Sequence, residues 1–455
     1  MSVNSVQLAR RNWNFVFAAL LFCALSVGAF AQIGGGSVVG NVADPSGAIV
    51  ANATVKATNI STRVTSTGVT NEQGYFEFPL LPAGRYVIEV QATGFQGKKT
   101  TEFELNSGTR PRFDFALSVG NVSETVSVSD TAPLLKTTSA ELGVVIEQRK
   151  IEALPLNGRN FQQLVGLQAG VVNAPSSNVG PRGGIEFNGA PALGNNILMD
   201  GVDASFIESH GSAGAASAGA GGIRINTVSI EALQEFKTSS NSFSAEYGRA
   251  TGGVINLTTK SGGRDFHGTA YDFLRNDALD ANSWANNRRG GSTAPAFRRP
   301  AFRFNQFGGN LGGPVYFPAK YFGPLGGFNE DRSRLFFFFN YEGVRAKSPS
   351  AQAGNVPTQA LLDAVRNPNI RAYLNTLPKD CVSQIANNPF LCRHERNDQA
   401  IGNENTYLSR VDYEWGAHRT AFRYNHNKQD ADTPGALRRA NRFLVPLRSH
   451  NAVVQ

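Results

Sequence analysis

The sequence offers few residues whose types and spacing could carry out catalysis or bind a metal. Asp200 and Asp203 are carboxylates close together in the chain, and such a pair could hold a cation or act as acid and base. No third ligand or base stands at a useful spacing, and Asp200-Gly201 is a dipeptide typical of a hairpin turn. We therefore interpret the two carboxylates as a turn and its neighbour, and we expect no metal or cofactor site.

Histidine and serine are not arranged as in known hydrolases either. The 6 histidines form neither H-x-x-x-H nor H-E-x-x-H, the spacings that place two zinc ligands on one helix face, and no serine stands in G-x-S-x-G. The histidines are His210, His267, His394, His418, His426 and His450. The sequence therefore predicts a protein that is not an enzyme.

The N-terminus has the pattern of a secretory signal peptide. Arg10 and Arg11 form a positive region, Phe15 to Leu25 is apolar, and Ala29-Phe30-Ala31 is a small-residue cleavage site. The apolar run is too short to span a bilayer as a mature helix, so we favour cleavage after Ala31 over an N-terminal anchor. No later run is long enough for a membrane-spanning helix, so residence in a membrane would require a β-barrel.

Two of the cysteines are close enough in sequence to close one loop. Cys23 lies in the predicted signal peptide, which leaves Cys381 and Cys392. Exported proteins fold where disulfides persist. We therefore predict a Cys381–Cys392 disulfide, with two unrelated free thiols as the alternative.

Composition favours short strands and turns. The chain has 48 glycines and 31 phenylalanines but only 2 methionines, and its length allows about three domains at ~150 residues each. The formal charge of +8 is spread along the chain rather than clustered, so no nucleic-acid partner is expected.

Residues 33–118 consist of short alternating runs separated by turn residues. In Tyr75-Phe76-Glu77-Phe78 and in Tyr86 to Val90, apolar side chains alternate with polar ones, as in half-buried strands. Turns such as Asn106-Ser107-Gly108 stand between the runs. This spacing predicts a β-sandwich.

A β-prone linker follows at residues 119–130. An extended, unpaired segment of this kind can add as an edge strand to the sheet of a partner. The alternative is that it forms the last strand of the sandwich. The residues concerned are Glu124, Thr125, Val126, Ser127 and Val128.

Residues 131–262 mix short helical and strand patterns. The helical patterns are 151–156, 158–164 with Asn160 as a cap, and 229–237; the strand patterns are 195–199 and 254–260; and 211–222 is a low-complexity stretch that predicts a flexible loop. Together they predict a small α+β unit.

Residues 265–455 contain six amphipathic runs of about the 9–11 residues that a transmembrane β-strand needs. The clearest is 405–415, where Tyr407, Val411, Tyr413 and Trp415 alternate with Thr406, Arg410, Asp412 and Glu414. The runs are 267–276, 301–311, 334–344, 405–415, 418–427 and one from about Phe443. Connections 277–300, 345–404 and 428–442 are long and 416–417 is short, as expected for outer loops and a periplasmic turn, but 312–333 is too long for this scheme.

Specific phrases in both halves resemble known families. Residues 33–118 resemble the carboxypeptidase regulatory-like domain in G-x-V-x-D-P-S-G and T-N-E-Q-G-Y-F-E-F. Four later phrases resemble the plug of TonB-dependent receptors, and the closest resemblance is to the Oar-like group. The phrases are L-P-L-N-G-R-N-F, N-N-I-L-M-D-G-V-D, S-I-E-A-L-Q-E-F-K and Y-G-R-A-T-G-G-V-I-N-L-T-T-K-S-G.

The resemblance implies a mainly β protein of the outer membrane of a Gram-negative bacterium. It implies a transthyretin-like, non-catalytic sandwich in the periplasm, an α+β plug, and the first strands of an antiparallel transmembrane β-barrel. The implied divisions are 1–31 signal peptide, 33–118 sandwich, 119–130 linker, 131–262 plug and 265–455 partial barrel. Plugged transporters have about 22 strands, so the resemblance implies the N-terminal part of a longer protein.

The resemblance also implies a function and partners. Residues 124–128 would be a TonB box, by which TonB and its inner-membrane energising complex pull on the plug to drive uptake of an extracellular ligand such as a glycan, peptide or siderophore. Outer-membrane lipid would surround the barrel. The alternatives are a surface adhesion or carbohydrate-binding protein, and a secreted enzyme or binding protein with the sandwich as an accessory.

Overall fold

The computed structural model describes most of the chain beyond the predicted signal peptide. The described residues are 35–120, 126–128, 142–154, 156, 159, 161–173, 185–190, 194–204, 228–243, 247–288, 298–299, 301–318, 328–377, 379, 381, 383–385, 388–415, 418–433 and 443–454. Several predicted features lie outside these residues. They are the signal cleavage after Ala31, the TonB-box residues Glu124 and Thr125, the helix cap Asn160 and the loop 211–222.

The first unit is a sandwich of two sheets, as the alternating runs predict. One sheet has the order β4-β1-β8, and the other has the order β3-β2-β5-β6-β9 with β7 also paired to β5. Val38 and Phe76 from the first sheet and Val55 and Ile88 from the second are buried in one apolar cluster. The strands are β1 Gly35–Ala43, β2 Thr54–Asn59, β3 Thr65–Val69, β4 Tyr75–Pro82, β5 Gly84–Gln91, β6 Lys98–Thr100, β7 Phe103–Leu105, β8 Phe115–Ala116 and β9 Val126–Val128.

Strand β9 is the described part of the predicted TonB box. It pairs in parallel with β6, with Val126 opposite Lys98 and Val128 opposite Thr100. The segment therefore extends a sheet of the sandwich, which corresponds to the alternative that the sequence left open. Within the part of the chain that the structure describes, this pairing covers three residues, which form few ladder hydrogen bonds that a competing partner strand would have to replace.

The second unit is built around a five-stranded sheet, which we call the inner sheet. Its order is β10-β15-β16-β13-β14, with β13 and β16 parallel and the other neighbours antiparallel. Ile255 and Leu257 of β16 lie in its apolar core. The elements are β10 Leu142–Glu147, α1 Gln148–Ala153, α2 Gln162–Val165, β11 Val171–Asn173, β12 Ile185–Phe187, β13 Asn196–Met199, β14 Val202–Asp203, a 3-10 turn Ile230–Ala232, β15 Leu233–Asn241 and β16 Val254–Thr259.

The prediction of a helix over residues 229–237 is wrong. Only Ile230–Ala232 form a 3-10 turn, and the chain then becomes strand β15. The apolar residues Ile230, Leu233 and Phe236 have helix-like spacing, but all three are buried in one core. Because β15 lies between β10 and β16 and is covered on both faces, its sequence lacks the simple alternation that marks a half-buried strand.

The third unit is an antiparallel meander, which we call the wall sheet. Its order is β17-β18-β19-β21-β22-β23, with β20 paired to β21. The elements are β17 His267–Asn276, a 3-10 turn Asp277–Leu279, α3 Trp284–Arg288, β18 Arg303–Pro314, β19 Leu335–Pro357, α4 Gln359–Ala364, α5 Pro368–Asn375, β20 Ser383–Ile385, β21 Asn388–Trp415, β22 His418–Thr433 and β23 Phe443–Val454. Within the described residues, no helix is long and apolar enough to cross a membrane.

The wall strands follow the predicted alternation, but two of them are much longer than predicted. On β21, Thr406 and Asp412 are buried whereas Val411 and Trp415 are exposed, which confirms the two faces. The predicted connection 345–404 is largely strand, because β19 continues to Pro357 and β21 begins at Asn388. In these extensions polar side chains occupy both faces of the strands, so the sequence lacks the apolar alternation that predicts a strand.

Cys381 and Cys392 lie near the end of that extended hairpin. A disulfide joins them, with their Cα atoms 5.6 Å apart, and Cys392 stands opposite Gln384 of β20. Closing so short a loop restricts the turn region in the unfolded chain as well as in the folded one.

Candidate functional site between the inner sheet and the wall sheet

Asp200 is placed by the tight turn between β13 and β14. Met199 pairs with Val202, so Asp200 and Gly201 are the two central residues of a hairpin. Their φ angles are +49° and +81°, in the left-handed region that a type I′ turn requires at both positions. The predicted turn is confirmed, and it leaves the Asp200 carboxylate buried.

The carboxylate of Asp200 joins the inner sheet to the wall sheet. The Thr259 N–H donates to its Oδ1 at 2.8 Å and the Thr259 hydroxyl to its Oδ2 at 2.8 Å. From the wall sheet, the Arg423 guanidinium donates to Oδ2, and Nη1 of Arg410 lies 3.5 Å from Oδ1. Arg410 also pairs with Asp412 at 2.9 Å and donates to the Thr259 carbonyl at 3.0 Å. We call these five residues the Asp200 latch.

The latch is a compensated group of buried charges. Two carboxylates, Asp200 and Asp412, face two guanidinium groups, and the Asp200 side chain is 8% exposed. Burial alone would raise the pKa of Asp200, but Arg423 and Arg410 together with the Thr259 hydrogen bonds hold that pKa below its usual range. The carboxylate is therefore ionised at neutral pH. The inner unit supplies the negative charge of Asp200, and the wall sheet supplies the positive charges of Arg410 and Arg423 that compensate it.

A second contact between the two sheets centres on Arg159. Its guanidinium pairs with Glu231 of the inner unit and lies over the Phe273 ring of β17, 4.3 Å from the centroid. The Tyr271 ring is also near, at 5.6 Å. Arginine suits this position because its planar group can pair with a carboxylate at its edge and stack on a ring with its face.

Ser229 and Glu342 complete the contact. The Ser229 hydroxyl donates to Oε2 of Glu342 at 2.8 Å, and the Tyr271 hydroxyl donates to the same oxygen at 2.9 Å. Both Ser229 and Glu342 are buried. The wall carboxylate thus receives hydrogen bonds from both sheets, as a buried charge requires.

We expect Arg159→Lys to weaken this contact by about 1–2 kcal/mol, because lysine keeps the charge but loses the planar stacking on Phe273. The measurement is the urea midpoint at which the inner sheet becomes sensitive to protease in the full-length protein. Arg249→Lys is the matched control, since Arg249 pairs with Asp203 at 2.6 Å but is 79% exposed; it should shift the midpoint by the equivalent of less than about 0.5 kcal/mol. Equal shifts would contradict the assigned role.

The sequence pattern marks Asp200 as a turn residue but does not indicate its ion pairs. The two aspartates that looked like a pair are used separately, because Asp203 pairs with the exposed Arg249 while Asp200 faces the wall sheet. One feature of the sequence does point to buried ion pairs. Arg410 and Asp412 fall on the inward face of β21, where charged side chains need partners. Among the described residues, no group of three or more His, Cys, Asp and Glu side chains could hold a metal ion.

Comparisons with known proteins match both ends of the chain. Residues 37–118 match the carboxypeptidase regulatory-like domain and residues 258–453 match an outer membrane beta barrel domain. The chain is 26% identical over 299 residues to the TonB-dependent transporter Oar of Myxococcus xanthus, which covers 63% of this chain and 26% of that protein. The chain therefore spans about a quarter of the length of this relative.

Two solved structures are also similar. The outer membrane transporter YddB from Escherichia coli is 12% identical with a TM-score of 0.40, covering 65% of this chain and 34% of that one. The siderophore receptor PirA from Pseudomonas aeruginosa is 14% identical with a TM-score of 0.30, covering 64% of this chain and 42% of that one.

Proposed function

We propose that this chain serves energised uptake of an extracellular ligand. It is a homologue of the TonB-dependent transporter Oar, with an outer membrane β-barrel domain and a carboxypeptidase regulatory-like domain. The protein is located in the outer membrane. In this proposal residues 131–262 are a plug, residues 265–455 contribute barrel wall, and the sandwich at 33–118 is periplasmic. The protein moves a ligand and catalyses no covalent step.

The observation that supports this function best is the set of buried ion pairs and hydrogen bonds between the inner sheet and the wall sheet, which stands beside an apolar contact through Phe338 and Leu408. The Asp200 latch and the Arg159 contact join the sheets through ion pairs and hydrogen bonds. Charged and polar groups regain hydration when they separate, whereas apolar groups lose the benefit of burial. An interface of this type can hold an inner sheet firmly at rest and still let water replace the contacts when the sheet moves.

Energy would enter through residues 124–128. A strand of TonB can pair with the backbone donors and acceptors of this segment in place of β6. Val126–Val128 already form a strand in the structure, paired with β6. TonB, with its inner-membrane complex, would take over this extended segment and transmit force to the inner sheet, which begins at Leu142 in the same chain.

We expect deletion of residues 124–128 in the full-length protein to abolish capture of the purified periplasmic domain of TonB. Val126→Pro should lower that affinity at least about tenfold, because proline removes a backbone donor and disrupts strand pairing. Val126→Ile, which keeps the donor and the β propensity, is the control and should bind as the parent does. Undiminished binding after the deletion would exclude this segment as the TonB box.

A further inference from the structure

One turn of the sandwich is buried against the inner sheet. Ser107 lies in the turn that follows β7, and it is 1% exposed. Its N–H donates to Oε1 of Glu235 on β15 at 2.6 Å, and its hydroxyl lies 3.0 Å from the hydroxyl of Thr258 on β16. Glu235 and Thr258 stand opposite each other in the β15–β16 ladder, so a single turn residue binds two neighbouring strands.

The residue after Ser107 fits the same surface closely. Nζ of Lys237 donates to the Gly108 carbonyl at 3.1 Å. Gly108 has a φ of +64°, and a Cβ added there would lie 2.8 Å from Nζ. The left-handed backbone conformation favours glycine at this position, whereas the Lys237 ammonium stands at the end of a flexible side chain and can shift aside.

Two contacts outside the turn extend the docked surface. Nε2 of Gln234 donates to the Ala83 carbonyl at 3.3 Å, and the N–H of Arg264 donates to the Ser61 carbonyl at 3.1 Å. Arg264 lies between the last inner strand and the first wall strand. The sandwich thus contacts both the inner sheet and the start of the wall sheet, through separate loops.

On the basis of the proposed function, we propose that the sandwich is a clamp, docked through the turn Asn106–Gly108, which has to leave β15 and β16 before the inner sheet can move. The Ser107 contacts hold the two strands in one register, and a shift of the inner sheet relative to the sandwich breaks them. The pulling segment 124–128 belongs to the sheet of the same sandwich, so force applied there reaches the clamp before it reaches the inner sheet.

Ionisable groups make this docking sensitive to pH. Burial raises the pKa of Glu235 to about 7; the hydrogen bonds from Ser107 oppose this increase, and Glu104 and Glu147 add smaller increases. Burial also raises the pKa of Glu104, next to the same Glu147. The charged groups that face this cluster are Glu104 of β7, Glu147 of β10, Lys237 of β15, Arg149 and Lys150 of α1, and Arg85 of β5.

The sign of the effect follows from proton uptake. When the sandwich leaves, water reaches Glu235 and its pKa falls toward the ordinary 4.5. The docked form therefore binds a proton that the undocked form has lost between these values. Docking is strongest at low pH and weakens as the pH rises toward 7, by up to about tenfold per unit.

The test is maleimide labelling of Ser107→Cys in the full-length protein in outer-membrane vesicles, without reductant so that the native disulfide stays closed. Ser46→Cys, in an exposed turn of the same sandwich, is the matched control that removes the intrinsic pH dependence of the thiol. We expect Ser107→Cys to label at least about tenfold more slowly than the control at pH 6. The labelling rate of Ser107→Cys relative to the control should rise severalfold by pH 8. Glu235→Gln in the same background should remove most of that rise.

Equal labelling of both cysteines at pH 6, or an unchanged pH response with Glu235→Gln, would overturn the clamp. In cells, energisation should speed labelling of Ser107→Cys, and collapse of the proton gradient should abolish that increase. If the TonB periplasmic domain binds the protein but energisation leaves this rate unchanged, the clamp is wrong and the proposed function stands. If TonB does not bind the parent protein, the proposed function is wrong, while the vesicle experiment still decides the docking.

Discussion

Asp200→Asn should destabilise the inner sheet within the full-length protein by about 3–5 kcal/mol. The amide keeps the shape of the turn but removes the charge that faces Arg423 and Arg410. Arg410 retains Asp412 at 2.9 Å, so the main loss falls on Arg423. A buried guanidinium left without a carboxylate loses far more than the small net gain that the intact pair supplies.

The control for this substitution lies three residues away in the chain. Asp203→Asn removes a carboxylate whose partner Arg249 is exposed, and it should lower stability by less than about 1 kcal/mol. Urea unfolding followed by protease protection of the inner sheet measures both. Asp200→Asn combined with Arg423→Met should recover part of the loss, because it removes the unpaired charge. A double variant less stable than Asp200→Asn, or equal effects at Asp200 and Asp203, would refute the latch.

Gly262→Ala should have the second largest effect, through steric conflict where the chain leaves the inner sheet. A Cβ at Gly262 would lie 2.3 Å from the Phe337 carbonyl oxygen and 2.7 Å from that of Gly313. Both obstacles are backbone atoms of paired wall strands, so no side chain can rotate out of the way. Separating β18 from β19 to admit a methyl group should cost about 3 kcal/mol, at the upper end for overpacking.

Gly248→Ala provides the comparison, since a Cβ at that position meets nothing within 4 Å. It should change stability by less than about 0.5 kcal/mol. The yield of folded full-length protein in outer membranes and its thermal midpoint in detergent both report the difference. A Gly262→Ala protein as stable as Gly248→Ala would show that the chain does not pass this close to the wall sheet.

Strand β16 links the two contacts that matter most for movement. Thr258 pairs with Ser107 of the sandwich, while the next residue, Thr259, binds Asp200 and Arg410 of the latch. Neighbouring strand residues point to opposite faces. One face of this strand is therefore held by the sandwich and the other by the wall sheet, so release of the clamp and release of the latch act on the same element.

Local patterns determined much of this protein from its sequence. The run 267–276 coincides with β17, the D-G dipeptide marks the β13–β14 hairpin, and the inward and outward faces of β21 follow from alternation. Such features depend on residues a few positions apart, and backbone geometry translates that spacing directly into strands and turns. The specific phrases then carried the resemblance to a plugged outer-membrane receptor.

Tertiary structure decided what the local patterns could not. Residues 229–237 have helical spacing but form a 3-10 turn and then the start of strand β15, because burial on both faces of β15 removes the alternation that identifies a strand. Asp200 and Arg423 are 223 positions apart, and Ser107 and Thr258 are 151 apart. Contacts between such distant residues arise only when separate sheets pack together, since no local spacing encodes which buried carboxylate will meet which guanidinium.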